Sequence, residues 1–259
     1  MLGSIAGDII GSPYEGQPIT IKRFPLFTAH SRFTDDTVLT VATAWALLHG
    51  TGYAHAYRKF GQAYPHRGYG GSFRRWLFHQ DMGPYNSYGN GSAMRVSPVG
   101  FACASVEDVL DEAGRSAEVT HNHPEGIKGA QAVALAVFLA RTGWSKADIK
   151  RESMGRFGYN LDRRLDDIRK EYGFDVTCQG SVPEAIIAFL ESESVEDAIR
   201  NAISLGGDAD TQACIAGGIA EAFYGGVPEA ITAEVRKRLP REFLAVIDAF
   251  YQKHGSRSH

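Results

Sequence analysis

Cysteine is scarce in this chain of 259 residues. Cys103, Cys178 and Cys214 are odd in number and widely spaced, which argues against a disulfide framework and fits no cysteine-based metal site. Neither sign of charge is in excess. With 27 basic and 30 acidic side chains the net charge is −3, which argues against a protein held to extended nucleic acid by bulk electrostatics. No run reaches the roughly 18 uncharged apolar residues of a membrane span. The opening "MLGSIAGDII" has no basic start and carries Asp8 inside its apolar stretch, so it makes a poor signal peptide. Together these absences point to a reduced, cytoplasmic setting without a membrane partner. Strand-like alternation is nearly missing too: the best candidate, "YGFDVTCQ" at 172–179, is short and isolated. Nor does any linker, low-complexity tract or repeat divide residues 1–259.

Helical periodicity dominates what is present. The composition, 44% hydrophobic and 22% charged, supplies enough apolar material for a substantial core. In 35–49, Val38, Val41, Ala42, Trp45, Leu48 and His49 fall on one side of a helix. The stretch 126–141, "GIKGAQAVALAVFLAR", is apolar nearly all round and predicts a central helix buried on every face. In 161–172 a narrow stripe of Leu161, Leu165, Ile168 and Tyr172 among charges predicts a surface helix. "SVPEAIIAFLES" predicts a helix with Pro183 in its first turn. Further helices are expected over 207–224 and in the terminal "PREFLAVIDAFYQKHG". These elements predict a single, mostly α domain of about ten or more helices.

Two helix starts are unusual. "FTDDTVLTVATAWALL" (33–48) sets Asp35 and Asp36 side by side between threonines. "GGDADTQACIAGGIAEAF" (206–223) opens with Asp208, Asp210 and Thr211. Helix capping explains either cluster alone, because Asp and Thr are favoured at helix starts. Two matched clusters, each leading into a helix rich in small residues, point instead to a hard divalent cation, which takes carboxylate and hydroxyl oxygens as ligands. Thr34, Asp35 and Asp36 offer one set, and Asp208, Asp210 and Thr211 the other. Asp8 and Glu15 in "GDIIGSPYEG" add a third acidic signal. Between the clusters lie loops rich in Gly, Tyr, Asn and Ser, at 64–73 and 81–98, whose glycines allow a ligand close to the backbone.

Read together, "GDIIGSPYEG", "TDDTVLT", "SYGNGSAMR", "THNHPEG", "CQGSVPEAI" and "GGDADTQACIAGGIAEAFYG" occur in an order that resembles the ADP-ribosylglycohydrolase family over about residues 1–250. The resemblance implies an all-α orthogonal helix bundle with a binuclear magnesium centre in a cleft, with manganese as a substitute. It implies that Thr34, Asp35, Asp36, Asp208, Asp210 and Thr211 are the metal ligands. Glu15 matches the acid of a mobile loop near the scissile bond, with Asp35 and Asp208 beside it in the catalytic set. Ser87, Tyr88, Gly89, Asn90 and Gly91 match the loop that holds diphosphate and adenosine, and His121 matches a phosphate-binding histidine. Tyr85, Met82 and Phe174 are further candidate walls for the adenine. The implied substrate is an ADP-ribosylated protein or small molecule, and ADP-ribose is the product.

Three other readings compete. "DDTVL" bears a faint likeness to the acidic motifs of prenyl-diphosphate enzymes, but those place another acid about one turn later, where Val38 to Thr40 supply none. Another magnesium-dependent hydrolase acting on a phosphorylated small molecule would be expected to carry a lysine-bearing phosphate loop, and none is seen. A non-catalytic ADP-ribose binder on the same scaffold is the third, and retention of the full acidic set argues against it.

Overall fold

Fifteen helices account for nearly all the regular structure of the computed structural model, which describes residues 1–255. In chain order they are α1 (Leu2–Gly11), α2 (Asp35–His49), α3 (Tyr53–Ala63), α4 (Gly71–Phe78) and α5 (Gly91–Met94). Then come α6 (Ser97–Ala102), α7 (Val106–Glu118), α8 (Pro124–Arg141), α9 (Lys146–Phe157) and α10 (Leu165–Glu171). The last five are α11 (Cys178–Leu190), α12 (Val195–Ile203), α13 (Ala209–Tyr224), α14 (Glu229–Lys237) and α15 (Arg241–His254). The fold is all-α, as the periodicity predicts.

Local chemistry sets the helix ends. Thr34 caps α2 by accepting from the Asp36 N–H at 3.3 Å, and Gly50 ends that helix in the left-handed region at φ 63°. His123 caps α8 through Nδ1, with Pro124 at its first position. From Ala132 to Ala140 the central helix is fully enclosed, packed against α6, α7, α11 and α13. Its first turns are only half-buried at Ile127 and Lys128, so burial on every face holds for its second half.

Two further expectations change. Pro183 is not in a first turn: α11 begins at Cys178, where Thr177 accepts from the Gly180 N–H at 3.1 Å. That cap starts the helix early, and Pro183 sits inside it, leaving one carbonyl without its usual donor. The strand candidate at 172–179 is reduced to one antiparallel bridge, Gly89 with Thr177. The partner segment is a ligand-loop candidate too short to extend the ladder.

The contact that positions the site is between α1 and α13. Gly3, Gly7 and Gly11 recur every fourth residue, so they share one face of α1. A Cβ on Gly7 would lie 2.0 Å from the Ala213 carbonyl oxygen, and one on Gly3 would lie 2.1 Å from that of Gly217. Backbone meets backbone along the whole of α1. At Gly11 the neighbour is the Cα of Asp210, 2.6 Å from an added Cβ. The glycine stripe therefore brings Asp8 on α1 to Asp210 at the start of α13.

Candidate active site

A cleft of about 410 Å³ opens where α1, α2 and α13 converge under the loops before α4 and α5. Carboxylates reach it from three separate segments. Glu15 comes from the turn after α1, Asp35 and Asp36 from the first turn of α2, and Asp208 and Asp210 from the start of α13. Asp8 of α1 is fully buried and does not line the cleft, but lies beside Asp36 and Asp210. Oxygens of Asp8, Asp36 and Asp210 lie within 4.8 Å of one another, and so do those of Glu15, Asp208 and Asp210.

Each acid is held differently. Asp8 is fully buried and accepts from the Thr34 N–H at 2.9 Å, the Thr34 hydroxyl at 2.7 Å, the Thr37 N–H at 3.1 Å and the Thr37 hydroxyl. It ties α1 to the start of α2. Asp36 accepts on Oδ2 from the Thr211 hydroxyl at 3.3 Å, while its buried Oδ1 has no partner. Asp208 occupies the cap position of α13 without capping it, and accepts instead from the Asn90 carboxamide at 2.8 Å. Asp35 points under the loop at Gly68, whose φ is +100°. Glu15 is exposed at the rim.

Burial raises the pKa of every one of these groups, and for Asp35, Asp36 and Asp210 the increase is large. The charges acting on those three are all other carboxylates. Carboxylates at this spacing without a chain cation to neutralise them suit a divalent metal with oxygen ligands. The orphaned Oδ1 of Asp36 is the clearest sign, since a buried carboxylate oxygen rarely goes without a donor. Capping accounts for Thr34 but not for the aspartates.

On the opposite wall, residues 87–91 are pinned to 176–178. The Asn90 N–H donates to the Val176 carbonyl at 2.8 Å, and the Cys178 N–H to that of Tyr88 at 2.9 Å. Ser87 accepts from the Gly89 N–H at 3.1 Å. His121 is 5% exposed and lines the cleft; a Cβ on Gly91 would sit 3.1 Å from its Nε2. Burial and the nearby Arg95 hold His121 well below the usual histidine range, so it is neutral. Tyr88 is half exposed at the mouth, edge-on to His123, with Phe174 and Val176 also exposed. Tyr85 lines the cleft, whereas Met82 lines a separate cavity with Arg58 and Trp76.

Of the predicted site residues, Glu15, Asp35, Asp36, Ser87, Gly89, Asn90, Gly91, His121, Asp208, Asp210 and Thr211 line one cleft, whereas Thr34, Tyr88, Phe174 and Met82 do not. Those that line it are not always in the expected posture. The Asn90 side chain is already committed to Asp208 and, at 3.2 Å, to Ser181, so it serves the acidic wall rather than the loop's ligand face. The clamp role of Asp8 was not legible from its position, although a glycine stripe every fourth residue with an acid beside it is the signal that would have found it. Arg95 and Thr120, which back His121, fall inside "SYGNGSAMR" and "THNHPEG", but the sequence alone gives neither a role.

An all-α scaffold whose helix starts bury clustered acids beside a Gly/Asn loop defines a class of helical proteins with an acid-lined cleft that could hold a divalent cation. The ADP-ribosylglycohydrolase family model matches residues 1–259. ADP-ribosylhydrolase ARH3 of Mus musculus is 29% identical, over 89% of this chain and 84% of its own length. The Homo sapiens ARH3 is also 29% identical, over 89% and 86% respectively. A solved structure described as an ADP-ribosylglycohydrolase-related protein complex superposes with a TM-score of 0.74 at 25% identity, covering 98% of this chain and 95% of that one. The chain belongs to the ADP-ribosylglycohydrolase family.

Proposed function

We propose that the protein is a magnesium-dependent ADP-ribosyl-acceptor hydrolase, cleaving the bond between C1″ of the distal ribose and its acceptor. The observation that carries this reading is the convergence of buried carboxylates from three chain segments with only one another as charged neighbours. Thr34, Asp35, Asp36, Asp208, Asp210 and Thr211 would hold two Mg²⁺ ions, with Mn²⁺ as a substitute. When bound, such ions polarise sugar hydroxyls and lower the pKa of a water.

The chain's own residues do the rest. Ser87, Gly89 and Gly91 line the cleft where the diphosphate would lie, with His121 as a donor, and Tyr88 offers its exposed ring to the adenine. Asn90 and Ser181 fix the Asp208 carboxylate. Glu15, exposed at the rim, or a metal-site carboxylate such as Asp208, would move a proton between water and the leaving acceptor. Asp35 and Asp208 flank Glu15. Residues 1–259 act as one domain. The setting is the cytoplasm, which is supported by three free cysteines; no helix among the described residues is long and apolar enough to cross a membrane. The partners are ADP-ribosylated proteins or small molecules rather than extended nucleic acid.

A panel of arginine-, serine-, O-acetyl- and nucleotide-linked ADP-ribose, assayed for released ADP-ribose with magnesium, tests the reading. Glu15→Gln should lower kcat by roughly 100-fold or more, the lower range for a lost proton-transfer group. ADP-ribose affinity by calorimetry should change little, because ground-state contacts are untouched. Tight ADP-ribose binding with no acceptor turned over would make the protein a binder.

A further inference from the structure

We propose that Arg95 and Thr120 are positioning residues that lock His121 in one neutral tautomer, with the proton on Nε2, so that it presents a fixed N–H to an anionic phosphate in the cleft. The argument is one of hydrogen-bond direction. Arg95 is fully buried on α5's outgoing end, its guanidinium 4.1 Å above the Tyr57 ring. Its Nη2 donates to the Ser116 carbonyl at 2.8 Å and to the Thr120 hydroxyl oxygen at 2.9 Å. A guanidinium has no acceptor, so at that contact Thr120 can only accept.

The Thr120 hydroxyl proton must then go elsewhere. Its other partner among the described residues is His121 Nδ1, at 2.7 Å. Thr120 is fully buried, so no solvent stands in for a missing acceptor. Were Nδ1 protonated, two N–H groups and a hydroxyl proton would converge on one oxygen and the hydroxyl would lose its bond, at a cost typical of a buried unsatisfied donor. Nδ1 is therefore the acceptor, and the ring proton sits on Nε2. That nitrogen makes no hydrogen bond within the described residues. It faces Gly89 and Gly91, where an added Cβ would lie 3.7 and 3.1 Å from it. The absence of side chains there leaves the N–H open to the cleft.

The arrangement separates two tasks. An imidazolium would attract a phosphate more strongly, but Arg95 already carries a permanent charge behind the ring. A neutral donor needs no change of protonation when a ligand enters. The identity of the anion as the ADP-ribose diphosphate rests on the proposed function; the tautomer does not.

Long-range ¹H–¹⁵N spectra of the whole protein read the tautomer directly, and calorimetry with ADP-ribose reads its use. Wild type should show a protonated Nε2 and an unprotonated Nδ1 for His121. Thr120→Val keeps the side-chain shape but removes the relay, and should give mixed tautomers with ADP-ribose binding weakened by about tenfold, the loss expected for one misdirected hydrogen bond. Thr120→Ser restores the hydroxyl and should recover both readouts. A wild-type Nδ1–H signal, or a Thr120→Val variant with an unchanged spectrum and affinity, overturns the proposal. A wild-type Nε2–H signal without any ADP-ribose binding removes ADP-ribose as the anion, and with it the proposed function, while the tautomer lock stands.

Discussion

The two ends of the α1–α13 pair bury acids in opposite ways. At the end near the start of α1, Glu221 is almost wholly enclosed and is met by three donors: the Met1 amine at 2.5 Å, the Gly3 N–H at 2.7 Å and the Tyr251 hydroxyl. One of them is a positive charge. At the other end Asp8 and Asp210 meet Asp36 and Asp208, and no basic group among the described residues joins them. Desolvation disfavours the charged form in both places; Thr34, Thr37 and Asn90 donate to Asp8 and Asp208, but among the described residues only the first end supplies a positive charge. A buried acid with all its donors is part of the architecture. At the other end Asp36 keeps a buried oxygen with no donor among the described residues, and the charges acting on it are other acids, which is the pattern a cation site would show.

Breaking the contact that both ends share should have the largest effect. Gly7→Ala places a methyl against the Ala213 backbone, which no side-chain rotation relieves. A loss of about 3 kcal/mol or more is expected in denaturant melts, because overpacking against backbone forces the helices apart. A loss below about 1 kcal/mol would mean that the helices separate easily.

The next test attacks the ends one at a time. Glu221→Gln leaves the buried Met1 amine without its counter-charge and should destabilise the protein by about 3 kcal/mol, with or without metal. Asp36→Asn should do the reverse in chelator, making the metal-free protein more stable, because it removes one of several repelling charges. Equal and same-signed shifts for the two variants would erase the distinction between the ends.

Metal removal sharpens the comparison further. Exhaustive chelation should abolish turnover, and magnesium or manganese should restore it. Metal at about 100 times its Kd should stabilise the wild type by about 2.7 kcal/mol. The Asp36→Asn variant should show a reduced shift. Full activity in excess chelator would leave the acidic end without a purpose in this chemistry.

The smallest expected effect is on pH. In chelator, the folded acids hold protons to higher pH than unfolded ones, for Asp35, Asp36 and Asp210 most strongly. Between the unfolded carboxylate value, about 4, and the raised folded values, the native state binds more protons, so stability falls as pH rises through that window. The metal-free melting temperature should therefore increase on going from neutral pH to about pH 5. The metal-induced shift should shrink over the same range as protons compete for the same oxygens.

Much of this was written locally enough to read. The bounds of α2 follow from the Thr34 cap, an apolar period and a glycine stop, all within one helix. The two acidic helix starts and the Gly/Asn loop are likewise local signals, and they do meet at one cleft. What escaped depends on distances between segments. Gly3, Gly7 and Gly11 look like ordinary small residues until Gly217 and Ala213 are opposite them. Asp8 becomes a clamp only when Thr34 and Thr37 approach. Pro183 was misplaced because a cap at Thr177, held by pairing with a loop 88 residues away, starts α11 earlier than a first-turn proline suggests. The Asn90 carboxamide could have faced either wall, and only the position of Asp208 decides.

Asn90 belongs to both walls at once: its backbone is pinned into the ligand loop and its carboxamide grips Asp208. Anything that re-orients the Asp208 carboxylate is therefore felt by the loop, and the converse holds. In thermodynamic terms the cation and the nucleotide of the proposed function would be heterotropic effectors of each other. Whatever factor a bound cation gives to nucleotide affinity, the nucleotide must return to the cation, and Asn90→Ala should bring that reciprocal factor toward unity.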